Sequence, residues 1–181
     1  VTIKTYEAER TNEPDVYPPF RKTDRRKDVT VPYYIDYYPV KSVRFPFANL
    51  IATSDPDVSG LLRKHGIVME KLSVDLKAEA EMFEISEVKG SMRLNQGHYT
   101  NTIKGRMVSS TVDFPAGTIV VRSAQPLANL SAYLLEPQSN DGMMTWNYFD
   151  RYLVPQWGQG YNIFPVYRLM KPMEIKTTRL P

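Results

Sequence analysis

Phe114-Pro115-Ala116-Gly117-Thr118-Ile119-Val120-Val121-Arg122 opens the stretch, Asp113 to Leu153, around which the chain is organised. Pro115 and Gly117 make a turn. Thr118 to Val121 is a short apolar run of the kind found in a strand buried on both faces. Pro126 then starts a helix whose Leu127, Leu130 and Leu134 share one face, and Pro137 stops it. Asn140 or Asp141 caps a second helix. There Met143, Trp146, Phe149 and Leu153 recur at near-helical spacing until Pro155.

Upstream, Val43 to Ala52 reads as a strand. Asp55 is an N-cap with Pro56 at the first helical position, and Val58, Leu61, Leu62 and His65 follow on one helical face. Arg63 and Lys64 suit the last turn, and Gly66 the left-handed cap beyond it. Ile67 to Leu72 is again a strand, so this region predicts a right-handed βαβ crossover. Val74 to Val88 and Ile103 to Val112 predict an antiparallel hairpin with a long polar tip around Asn95-Gln96-Gly97. Downstream, Gln156 to Asn162 is a Gly-rich aromatic loop. Ile163 to Leu169 is a strand interrupted by Pro165, expected at a sheet edge.

Nearer the N-terminus, Val1 to Glu9 is extended and Arg21 to Lys27 is a basic cluster expected as a solvated linker. Val29 to Val40 is rich in Tyr, and Pro32 and Pro39 demote it to an edge or wrapping arm. The whole predicts an α+β fold: a mixed β-sheet with a βαβ unit, a projecting β-hairpin and about three flanking helices. Residues 1–28 are expected as an extended arm or linker, 29–170 as a single α+β domain, and 171–181 as a fraying tail.

A chain of 181 residues with 42% apolar residues can bury its own core. Net charge is only +3, with acids and bases interleaved, which argues against nucleic acid as a partner. Having no Cys, the chain has no disulfide, thiolate metal site or cysteine nucleophile. No apolar run reaches the roughly 20 residues of a membrane span. The chain opens on Val1 without a signal-peptide pattern and reads as an excised fragment or a processed product.

Candidate chemistry is sparse. His65 at a helix C-terminus and His98 in a turn read as structural or surface residues, and neither stands at a short spacing from Glu, as zinc ligands would. There is no Gly-x-Ser-x-Gly elbow and no phosphate loop. Glu79, Glu81, Glu84 and Glu87 crowd one strand but interleave with Lys77 and Lys89, as on a solvated face. Trp146 suits a core. Trp157, Tyr161, Tyr34 and Tyr38 are the candidate contacts for a ligand or another domain.

The central block continues through Ala124-Gln125-Pro126-Leu127, Ala132-Tyr133-Leu134-Leu135-Glu136-Pro137, Asp141-Gly142 and Trp146-Asn147-Tyr148-Phe149-Asp150. It resembles a region found after the catalytic domain in bacterial zinc carboxypeptidases of the carboxypeptidase A-like class. Val31-Pro32-Tyr33-Tyr34-Ile35, Leu62-Arg63-Lys64-His65-Gly66-Ile67, Gly97-His98-Tyr99 and Phe164-Pro165-Val166-Tyr167-Arg168 resemble its weaker landmarks. The resemblance covers the chain from about Val29 onward. It implies a parent enzyme whose zinc-activated water attacks a C-terminal peptide bond, in the periplasm or outside the cell. The family's His-x-x-Glu is missing here, so no catalytic or metal-binding residue carries over. The implied role is a non-catalytic C-terminal accessory domain. Its implied partners are the parent's metallopeptidase domain and peptide or cell-wall substrates. Zinc is implied for the parent and no cofactor for this chain. The rival readings are a glycan or peptidoglycan-peptide binding module built on the exposed aromatics, and an enzyme of unrecognised type.

Overall fold

The computed structural model describes residues 1–14, 17–39, 41–153 and 163–180. They form two units, Val1–Val43 and Arg44–Pro181. The first is a hairpin of β1 (Thr2–Arg10) and β2 (Phe20–Thr30), antiparallel, with a register shift between Tyr6 and Ala8. The basic cluster expected as a linker is therefore a strand. Two of its cations meet cross-strand partners: Arg25 reaches Glu7 and Glu9 at 2.8 and 2.7 Å, and Lys22 lies over the Tyr6 ring.

The second unit holds β3 (Ala48–Ile51), α1 (Pro56–Lys64), β4 (Glu70–Leu72), β5 (Leu76–Gly90), β6 (Asn101–Phe114), β7 (Ile119–Arg122), α2 (Ala128–Leu135), α3 (Asp150–Leu153), β8 (Ile163–Leu169) and β9 (Thr177–Arg179). Its sheet has seven strands in the order β6-β5-β8-β3-β7-β4-β9. Every pairing among them is antiparallel. The expected α+β fold with a mixed sheet and βαβ unit is thus overturned: the described residues are mainly β, with three short helices among them. β3 and β4 do flank a helix, but β7 lies between them and pairs antiparallel with both. The strand–helix–strand spacing says that the chain crosses over; it does not say which strand fills the slot.

β7 fills it because its Ile119, Val120 and Val121 are buried on both faces. Val120 joins Ala48, Leu50, Leu72, Phe114 and Leu169 on one side of the sheet. Ile119 and Val121 join Ile51, Phe164, Val166 and the helical layer on the other. β5 changes sides along its length. Ala78 and Ala80 serve the first layer and Phe83 and Ile85 the second, and the register slips at Met82/Glu84 against β8. β8 is central, not the edge expected. Pro165 lies opposite Ala52, just past the end of the β3 ladder: its carbonyl accepts the Ala52 N–H at 2.9 Å, and its missing N–H falls beyond the paired stretch.

α1 forms as the sequence indicates: the Asp55 carboxylate accepts from the Asp57 N–H at 2.9 Å, and Gly66 follows the helix at φ 76°. The second helix expected around Met143 to Leu153 is mostly turns, and only Asp150–Leu153 is helical. Asn147 stands at φ 71°, which ends any helix there. Gly142 is also committed, since a Cβ on it would lie 2.9 Å from the Tyr133 carbonyl oxygen. Met143, Met144 and Phe149 still reach the core, with the Phe149 and Phe164 ring centroids 4.8 Å apart. Burying such a ring contributes about 2–3 kcal/mol. Within the segment expected as a tail, β9 pairs with β4, and the Leu180 N–H donates to Met69 O at 2.9 Å.

Candidate functional site

Three stretches far apart in sequence meet at one cleft of about 450 Å³. One wall is the face of α1 bearing Asp57, Gly60, Leu61 and Lys64, and the other carries His98, Trp146, Asn147 and Arg151. Residues three and four apart share a helical face, so Asp57, Gly60, Leu61 and Lys64 form one stripe. The opposite wall is held by polar bonds. The Asn147 amide donates to Tyr99 O at 3.0 Å and to Asp150 Oδ2 at 2.9 Å. Asp150 Oδ1 accepts from the Asn101 amide at 2.7 Å, tying this turn to the start of β6. The Trp146 indole N–H donates to Asp141, and the His98 ring packs edge-on against Trp146 at 5.4 Å. His98 Nδ1 lies 3.3 Å from Asn147 Oδ1.

The charges are largely neutralised from within. Asp55 is buried, caps α1, accepts the Tyr152 hydroxyl at 3.1 Å and faces Arg151 at 3.3 Å. Arg151 also approaches Asp57 at 3.8 Å. Asp141 and Asp150 are taken up by indole and amide donors. Among the described residues lining the cleft there is no Ser, Thr or Cys. The cleft presents aromatic edges, a flat helix surface and mixed charge, which suits binding a segment of polypeptide or a small polar molecule.

A catalytic zinc takes three protein ligands. Among the described residues no three His, Asp or Glu side chains come together as a group able to hold a metal ion. The described residues therefore do not fit the zinc centre that the resemblance implies for the parent, and no zinc step is assigned to them.

Of the candidate aromatics, two lie among the described residues. Tyr34 and Tyr38 belong to the first unit, in an irregular segment, and are 81% and 83% exposed. Trp157 and Tyr161 lie outside the described residues. Sequence reasoning passed over His98, Trp146, Asn147 and Arg151 as site residues, because helical spacing suggested that Trp146 was core. No local pattern in the sequence joins Lys64, His98 and Trp146, which the fold brings to one cleft. Among the described residues, no helix is long and apolar enough to cross a membrane.

No family model and no solved structure matches the chain. Curated proteins do. It is 28% identical over 101 residues to carboxypeptidase 2 of Trichophyton equinum, covering 56% of this chain and 19% of that protein. It is 28% identical over 108 residues to carboxypeptidase 2 of Trichophyton rubrum, covering 60% and 20%. For the Trichophyton tonsurans protein of the same name the figures are 28% over 122 residues, 67% and 22%. The chain spans about a fifth of the length of these relatives. These relatives are fungal, and over the matched part the chain is related to proteins named carboxypeptidase.

Proposed function

We propose that this chain is a non-catalytic C-terminal accessory domain of a zinc carboxypeptidase of the carboxypeptidase A-like class, the class it resembles in bacteria. It packs beside a metallopeptidase domain outside this chain, or shapes access to that domain's cleft, in the periplasm or the extracellular space. One observation carries the reading: the chain matches about a fifth of proteins named carboxypeptidase, while its described residues hold no group fit for a metal ion. The mainly β unit, with its polar side chains consumed in holding the walls of one cleft, supports a scaffold more than a reaction centre. Sequencing the transcript that encodes this chain tests the proposal. The expected result is a region upstream of Val1 encoding His-x-x-Glu and a later His. A transcript encoding nothing catalytic ahead of Val1 would overturn it.

A second reading is favoured by the exposure of Tyr34 and Tyr38. Aromatic side chains standing free of a core can stack on sugar rings, so a glycan or peptidoglycan-peptide module remains the alternative. Titration with soluble cell-wall fragments separates the two. Saturable binding lost in Tyr34→Ala and Tyr38→Ala supports the module, and silence across a broad panel removes it.

A further inference from the structure

β6 is an edge strand of the seven-stranded sheet. In an antiparallel strand the peptide groups of alternate residues point to opposite neighbours. Two bonds fix which residues of β6 point away from β5: the Asn101 N–H donates to Thr145 O at 3.1 Å, and Ile103 O accepts from the Gln138 amide at 3.1 Å. The odd-numbered residues therefore turn outward. Beyond Ile103, the outward groups of Gly105, Met107, Ser109, Thr111 and Asp113 make no hydrogen bond to another described residue.

The two halves of this edge are guarded differently. Natural sheets blunt their edges with charge, bulges or a covering segment. The first half has all three: Lys104 and Arg106, the register shift opposite Lys104 and Gly105, and the bonds from the Gln138 amide and to the Thr145 carbonyl. The second half, Met107-Val108-Ser109-Ser110-Thr111-Val112, has no charge, no Pro and no register shift. Where it ends a cavity begins. It measures about 470 Å³ and is lined by Val112 and Phe114 of β6 together with Ile51, Pro115, Thr118 and Tyr167. The Phe114 and Tyr167 rings meet edge-to-face at 5.3 Å.

An open edge beside an apolar cavity is the arrangement that accepts an added strand: main-chain bonds supply affinity, and a pocket for alternate side chains supplies selectivity. We propose that β6 from Met107 to Val112 is a strand-addition site for an extended, uncharged polypeptide segment that lodges one apolar side chain in the cavity beside Phe114 and Tyr167. A second copy of this chain fits less well. Two β6 strands paired antiparallel about Ser109 would set Lys104 opposite Phe114 and Arg106 opposite Val112, bringing a cation to the mouth of an apolar cavity. This site is separate from the cleft at Trp146 and does not depend on the accessory-domain reading.

The test uses this chain and the capped hexapeptide acetyl-Thr-Val-Thr-Leu-Thr-Val-amide, with amide hydrogen exchange followed by NMR. Added peptide is expected to slow exchange of the Met107, Ser109 and Thr111 amides at least about tenfold. The same peptide N-methylated at alternate residues keeps its apolar surface but loses donors, and is expected to give no protection. Ser109→Pro and Ser110→Lys alter exposed edge positions, and Ala116→Leu fills the cavity from an exposed residue. Each is expected to weaken binding about tenfold or more while leaving the thermal melt cooperative. Absence of protection at millimolar peptide, or equal protection by the N-methylated peptide, would overturn the proposal. So would a peptide-free dimer in light scattering that Ser109→Pro dissociates, which would give the edge to a second copy.

Discussion

Gly60 occupies the interior of α1, where a glycine costs about 0.5–1 kcal/mol relative to alanine. Nothing in the described structure requires it, because a Cβ there would meet no atom within 4 Å. Gly60→Ala is therefore expected to stabilise the fold by about that amount and to raise Tm by about 2 °C in a thermal scan. A fall in Tm would mean that the helix is not packed as described. Gly142 gives the opposite sign: its missing Cβ lets the chain pass against the Tyr133 carbonyl, so Gly142→Ala should lower stability by about 1–3 kcal/mol in urea denaturation. Tyr167 makes a third prediction. Burial pushes its phenol above the ordinary tyrosine range. The folded state thus favours the neutral form, and the stability this confers is complete below the unfolded pKa of about 10. It is lost as pH rises from there through the raised folded value. Tyr167→Phe should flatten the decline in stability between about pH 9 and 11; an unchanged slope would place the titration elsewhere.

Elements whose partners are close in sequence were legible, and those decided by distant partners were not. α1 announced itself through Asp55, Pro56 and Gly66, all local signals, and the pairing of β5 with β6 followed from two strand patterns around a polar tip. β7 was legible as a strand buried on both faces, but its seat between β3 and β4 was not, since antiparallel neighbours leave no mark in its own four residues. The turns from Met143 to Phe149 imitated a helix because a compact chain also returns apolar residues to a core every three or four positions. Pro165 misled in another way: a central strand tolerates it just past the end of the neighbouring strand's ladder. Arg168 shows how the layers are joined. Only 11% of its side chain is exposed, and it reaches Glu81 of β5 at 2.8 Å and Glu136, next to α2, at 3.2 Å. Arg168→Ala would leave two half-buried carboxylates without their shared cation and is expected to cost about 3 kcal/mol in chemical denaturation. A loss below about 1 kcal/mol would show that solvent screens the pair more than its burial implies.

At the scale of the whole molecule, the candidate site was not legible in the sequence. No local pattern joins Lys64, His98 and Trp146; the fold does. Of the four aromatics chosen as contacts, Tyr34 and Tyr38 are exposed, and Trp157 and Tyr161 lie outside the described residues. The molecule that results is a mainly β body related in part to carboxypeptidases, with its carboxylates engaged in holding walls and strands. The central claim is that peptide-bond chemistry belongs to residues outside this chain. It is tested most directly by incubating the purified chain with one equivalent of zinc and a panel of unblocked peptides, and following release of C-terminal residues by mass spectrometry. The account predicts no release above the protein-free control, with or without chelator. Release that requires zinc and stops on chelation would contradict it.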